Sequence, residues 1–259
     1  MKLLEKYLEK RVEEILQLLK KPRQSYRVST YHDLRVEIKQ LKALCKLTED
    51  SIKKFSYKKL YSLYDEVFSQ AGKVRELQVK TNMLKKNSNN TFLKTYIQDL
   101  VKLTGEERNK YFSLLDKKLL QELKKNYKDI ESKLKRVSKK DALVFLDKKE
   151  DKIDQLLLKT LPPSKVHELR KRLKEHLYIS ESIESKNPTG PDPKLEEFTD
   201  LLGDWHDTQV LIDHLDESID DFHGSAREQK QLQRVKNKFS TENENLLKKI
   251  NDAKSTVKL

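Results

Sequence analysis

The stretch YHDLRVEIKQLK, residues 31–42, and the stretch VHELRKRLKEHLY, residues 166–178, carry one pattern, His-x-Leu-Arg-x-x-x-Lys. Placing His32 on His167 also places Leu34 on Leu169, Arg35 on Arg170, Ile38 on Leu173 and Lys39 on Lys174. Residues three, four and seven apart share a face of a helix, so the apolar and the cationic positions both repeat in helical register. A second pair of segments follows. AGKVRELQV, 71–79, aligns with LGDWHDTQV, 202–210, matching Gly72 to Gly203, Arg75 to His206, Glu76 to Asp207, Gln78 to Gln209 and Val79 to Val210. Two motifs in the same order, twice, read as a tandem duplication with repeats of approximately 1–135 and 136–259.

Within the first copy, His32, Arg35, Lys39 and Lys42 form a cationic stripe beside an apolar one of Leu34, Ile38, Leu41 and Cys45. In the second, His167, Arg170, Lys171 and Lys174 are expected to be exposed, with Val166, Leu169, Leu173 and Leu177 toward the core. Like charges stacked along a helix repel by a few tenths of a kcal/mol per pair, about 0.2–0.5. An external polyanion would relieve that repulsion. Lysine and arginine on a helix face are ordinarily no more than solvated charge, and it is the repetition in register that argues for a site.

The paired helices, each followed by Gly-x-x-[Arg/His]-[Glu/Asp]-x-x-Val, resemble the CHAD family, the conserved histidine α-helical domain, over nearly the whole chain. The resemblance implies an all-α fold of two tandem pseudo-symmetric antiparallel four-helix bundles, with the duplicated basic helices facing a shared groove or pore. It also implies non-catalytic binding of inorganic polyphosphate. The residues carried over are His32, Arg35, Lys39, Lys42, Lys73, Arg75, His167, Arg170, Lys171, Lys174 and His206. The second copy departs from the family pattern, which usually ends Lys-[Lys/Arg]-Leu-Arg-Tyr, where this chain has Lys174, Glu175, His176, Leu177 and Tyr178. Leu177 replaces a cation and Glu175 adds a negative charge, while His206 stands where an arginine is commoner. The second half is therefore expected to hold phosphate less strongly.

Composition agrees with an anionic partner. Lysine and arginine number 55 against 42 acidic residues, a formal charge of +13, so the basic excess is large although both signs are abundant. Nucleic acid, whose backbone phosphates suit the same cations, is the rival ligand and the expected weaker competitor. No groove-entering motif appears, and few aromatics interleave with the stripes. A third reading is a helical adaptor for acidic protein partners, but the stripes contain no apolar anchors. No P-loop, nucleophile elbow or catalytic thiol context is present, so no enzyme activity is expected.

A metal on His206, Asp207, Asp204, Asp213 and His214 is disfavoured, because the two-histidine spacing of HExxH is missing; no cofactor is expected. The run 213–221 reads as a solvated acidic face, and Trp205 and Cys45 as core residues. Cys45 is the sole cysteine, which excludes an internal disulfide. No run is long and apolar enough for a bilayer and no signal peptide is evident, so a cytoplasmic location with no membrane partner is expected, with targeting to polyphosphate granules open.

With 5 glycines, 6 prolines and apolar residues at three- and four-residue spacing throughout, helices are predicted almost everywhere. Their spans are 3–20, 30–46, 57–69, 73–85, 91–103, one or two within 106–135, then 140–160, 164–182, 194–202, 205–220 and 225–251. Breaks are expected at Lys21-Pro22, 87–90, Leu161-Pro162-Pro163 and 187–193. Thr104 followed by Glu107 reads as a capping box, and Gly72 and Gly203 as tight turns or close helix contacts.

Overall fold

A computed structural model describes residues 2–87, 93–183, 192–219, 224–257 and 259. Among these residues the chain is all helical, with no strand. The α-helices are α1 (Lys2–Lys20), α2 (Val28–Ser51), α3 (Lys58–Asn87), α4 (Lys94–Leu114), α5 (Lys117–Leu134), α6 (Lys139–Leu157), α7 (Pro163–Ile183), α8 (Pro193–Ile219) and α9 (Ala226–Ala253). The predicted break at 187–193 and the end of the acidic run at Asp220 and Asp221 fall largely outside the described residues, as does most of the break at 87–90.

Local chemistry accounts for the helix starts. Asp116 accepts from Leu119 N at 2.6 Å and opens α5. Ser138 and Asp141 form a reciprocal box before α6, with Ser138 N donating to Asp141 at 2.8 Å and Asp141 N to Ser138 Oγ at 3.1 Å. Ser225 caps α9 through Glu228 N. Pro163 takes the first position of α7, where its missing N–H costs nothing.

Three predicted breaks do not occur. Gly72 lies inside α3, Gly105 inside α4 and Gly203 inside α8. A glycine in a helix interior costs about 0.5–1 kcal/mol relative to alanine. Burial of the same face on both sides outweighs it: Val67, Ala71 and Val74 around Gly72, and Phe198, Leu202 and Trp205 around Gly203. Thr104 caps nothing; its hydroxyl donates back to Leu100 O at 2.7 Å within α4. Glu107 is instead buried against α3, accepting from Gln70 Nε2 at 2.7 Å.

The chain packs as two compact units. The first comprises Met1–Arg75, Gly105–Lys152 and Lys174–Pro188, and the second Glu76–Thr104, Ile153–Leu173 and Thr189–Leu259. This partition interleaves segments and does not follow the order of the sequence repeats. The first unit is built on Leu4, Leu8 and Ile15 of α1, Leu34, Ile38 and Leu41 of α2, and Leu123, Ile130 and Leu134 of α5, all fully buried. Arg11 of α1 is buried with them and donates to Gln40 at 2.6 Å and to Glu37 at 3.1 Å. The second unit packs Leu84, Leu93, Leu211, Leu215, Leu232 and Phe239 into a separate core. Asn243 Nδ2 donates to Trp205 O at 3.0 Å, tying α9 to α8 where the second basic cluster begins.

Candidate anion-binding site

In the first unit the apolar stripe of α2 is as predicted, with Leu34, Ile38, Leu41 and Cys45 fully buried. Burial pushes the Cys45 thiol well above the ordinary range, so it is a neutral core group. The opposite face presents His32, exposed, and Arg35, Lys39 and Lys42, half-buried.

Arg35, Lys39 and Lys42 lie along α3. Arg35 Nη1 donates to Phe68 O at 2.7 Å, and the guanidinium carbon sits 3.9 Å over the Phe68 ring. Lys39 Nζ is 6.0 Å from the same ring. Lys42 Nζ is 4.9 Å from the Tyr61 ring and 3.6 Å from Asp65. Tyr61, Asp65, Phe68 and Gly72 recur at four, three and four residues, so one face of α3 receives the row. Cation–π contact and a carbonyl bond hold the arginine plane in one orientation.

Gly72 makes that orientation sterically available. A Cβ there would fall 2.2 Å from Arg35 Nη1 and 3.0 Å from its Cζ. The close-contact reading of this glycine is therefore correct and the tight-turn reading is not. Lys73, exposed, and Arg75, half-buried, continue along α3. Phe68 and Tyr61 were missed by sequence reasoning; the signal available was Phe68 four residues before Gly72, on the same face.

In the second unit Val166, Leu169 and Leu173 are fully buried, His167 and Arg170 half-buried and Lys171 exposed. Leu177 is half-buried and so only partly turned to the core. The His167 ring is 4.9 Å from that of His206 on α8. Burial, and then the charges of Lys171 and Arg170, hold His167 below its ordinary value. A bound phosphate would oppose both effects.

The two copies differ in how the arginine is held. Carrying the glycine alignment back four residues puts Thr199 where the first copy has Phe68, so the aromatic shelf is missing. Among the described residues a Cβ placed on Gly203 would meet nothing within 4 Å, so none of their side chains leans on this glycine as Arg35 leans on Gly72. Arg170 Nε is buried without a hydrogen-bond partner among the described residues. Lys174, half-buried, belongs to the first unit, as does Glu175.

The negative charge that Glu175 adds is paired on both of its oxygens. One carboxylate oxygen is held by Lys46, and the other accepts from Lys149 at 2.5 Å. Burial alone would raise its pKa, but hydrogen bonds from Lys149 and Lys46 outweigh that and hold the carboxyl below its usual range. Among the described residues no three of histidine, cysteine, aspartate and glutamate come together as a metal-holding group.

The glycines yield a stability prediction. Gly203→Ala should gain up to about 1 kcal/mol of helix stability and raise Tm by about 2 °C. Gly72→Ala should gain less, because Arg35 must leave Phe68. Thermal unfolding of the two variants checks the difference.

The CHAD domain family matches residues 6–216 of the chain. No curated protein matches it. Among solved structures, the CHAD domain from the plant Ricinus communis is similar with a TM-score of 0.81 and 13% identity, over 99% of this chain and 92% of that one. PptA from Streptomyces chartreusis is similar with a TM-score of 0.71 and 13% identity, over 99% of each chain. At that identity the structural likeness shows the fold.

Proposed function

The chain belongs to the CHAD domain family, and from that premise we propose that it is a non-catalytic binder of inorganic polyphosphate. The observation that carries this reading is the row of cations on α2, with Arg35 fixed in its plane by Phe68 and given room by Gly72. An arginine held in this way loses less entropy when it meets phosphoryl oxygens than a mobile one does. Lys39 and Lys42 supply point charges along the row, with His32, Lys73 and Arg75 flanking it. The second cluster, His167, Arg170, Lys171 and His206, offers the same chemistry. Among the described residues its arginine has a buried donor without a partner, and burial with the charges of Lys171 and Arg170 holds its histidine below the ordinary pKa.

Charge alone would also attract nucleic acid, so the test is a competition. Labelled long-chain polyphosphate is displaced by single-stranded DNA, RNA or short phosphates at several salt concentrations. Preference for polyphosphate that persists near physiological salt, about 0.15 M, is expected. Equal displacement per phosphate by nucleic acid, with all binding lost together as salt rises, would mark a general polyanion surface and defeat this reading. Granule targeting is tested by whether the chain co-sediments with polyphosphate granules.

A further inference from the structure

Helix α2 carries one more cation in the same row. Lys46 follows Lys42 by four residues and Lys39 by seven, which places it on the face that bears Arg35. It is already occupied. Glu175 of α7 receives Lys46 on one oxygen and Lys149 of α6 on the other, and its side chain is 14% exposed. A carboxylate with a lysine on each oxygen makes the contacts that a phosphoryl group makes among lysines. The neighbouring pair, His176 Nε2 and Glu150 Oε1 at 2.8 Å, joins the same two helices. Glu175 is thereby held in place from two adjacent positions.

We infer that Glu175 is a built-in anion that ends the cation row of α2 at Lys42, so that this chain's own carboxylate limits how many phosphates the row takes. The inference rests on the polyphosphate reading above. A row shortened by one member binds fewer phosphates and releases fewer counterions. The residue acts through Lys46 and is a positioning residue.

The test is a small cycle of variants. Glu175→Gln keeps the shape and removes the charge; it should tighten polyphosphate binding about fivefold at low salt and steepen the salt dependence by about one released ion. Lys46→Ala in the native background should change affinity by less than about twofold, because the amine is already engaged. In the Glu175→Gln background the same change should erase the gain. Unchanged affinity and slope in Glu175→Gln would overturn the inference. So would an equal gain from Glu244→Gln, an exposed carboxylate on α9, which would reduce the effect to net charge. The clamp is also read without ligand: acetylation of Lys46 should quicken in Glu175→Gln, and an unaltered rate overturns the inference whatever polyphosphate does. A native chain that retains no polyphosphate defeats the proposed function instead, and is distinguished by that result.

Discussion

Replacing Arg35 and Arg170 together by alanine is expected to abolish retention of polyphosphate at physiological salt, a loss of about a hundredfold or more, while helicity is unchanged. A hydrogen bond to a charged group contributes about 1.5–3 kcal/mol, so two lost arginines correspond to about 3 kcal/mol or more. The two changes differ in what they leave behind. Without Arg35 the row on α2 keeps Lys39 and Lys42 beside Phe68 and Tyr61 but loses its planar fork. Without Arg170 the second cluster loses a buried donor that has no partner among the described residues, so the substitution also removes an unsatisfied group. Arg170→Ala should therefore be nearly neutral for stability, and Arg35→Ala mildly destabilising, by about 1 kcal/mol for the bond to Phe68 O. Replacing Lys248 and Lys249, exposed on α9, serves as the control of equal charge. Equal weakening there, measured by the same retention assay, would show that no localised site exists.

Acidification should destabilise the protein through His214. This half-buried residue of α8 has its ring 6.3 Å from that of Tyr96, and its Nε2 is buried without a partner among the described residues. Burial, and then the charge of Lys80, push its pKa from 6.5 down to about 4, against an opposing pull from Glu76. The sign follows from proton binding. Below pH 6.5 the unfolded chain takes up a proton that the folded chain refuses, so stability falls with pH until the folded group also titrates near 4. At about 1.4 kcal/mol per unit, the loss reaches about 2 kcal/mol at pH 5 and about 3 kcal/mol in full. His214→Gln does not titrate. Denaturant unfolding of both chains at about pH 7 and pH 5 should show the stability difference between them shift by about 2 kcal/mol against the native chain. A difference that does not change with pH would refute the assignment. His167, also depressed by burial, adds in the same direction.

The helical class and the face of each basic helix were legible because both depend on spacing within a single segment. Leu34, Ile38 and Leu41 on one side and Arg35, Lys39 and Lys42 on the other follow from periodicity alone, as do Cys45 and Trp205 as core residues. Helix ends were legible where proline or a cap acts locally, as at Pro163 and Ser225. They were misread at Gly72, Gly105 and Gly203, because what carries a helix through a glycine is apolar packing on its flanks from other segments. The partners of the site were hidden for a related reason. That Arg35 lies on Phe68 depends on the register of α2 against α3, and that Glu175 is neutralised depends on Lys46, 129 residues away in the chain. Neither register is written in the local pattern. Gly72 pointed toward the contact without naming what would fill it.

The buried state of Cys45 has a practical side. A thiol that is fully enclosed and held in its protonated form reacts with neither maleimides nor mild oxidants while the protein stays folded. Since the chain has no other cysteine, a second one placed on the surface could be tagged alone, with the native residue left in place. A fluorophore attached in that way beside the α2 row would report occupancy from a single defined position, and labelling of Cys45 itself would serve as an alarm that the fold has opened.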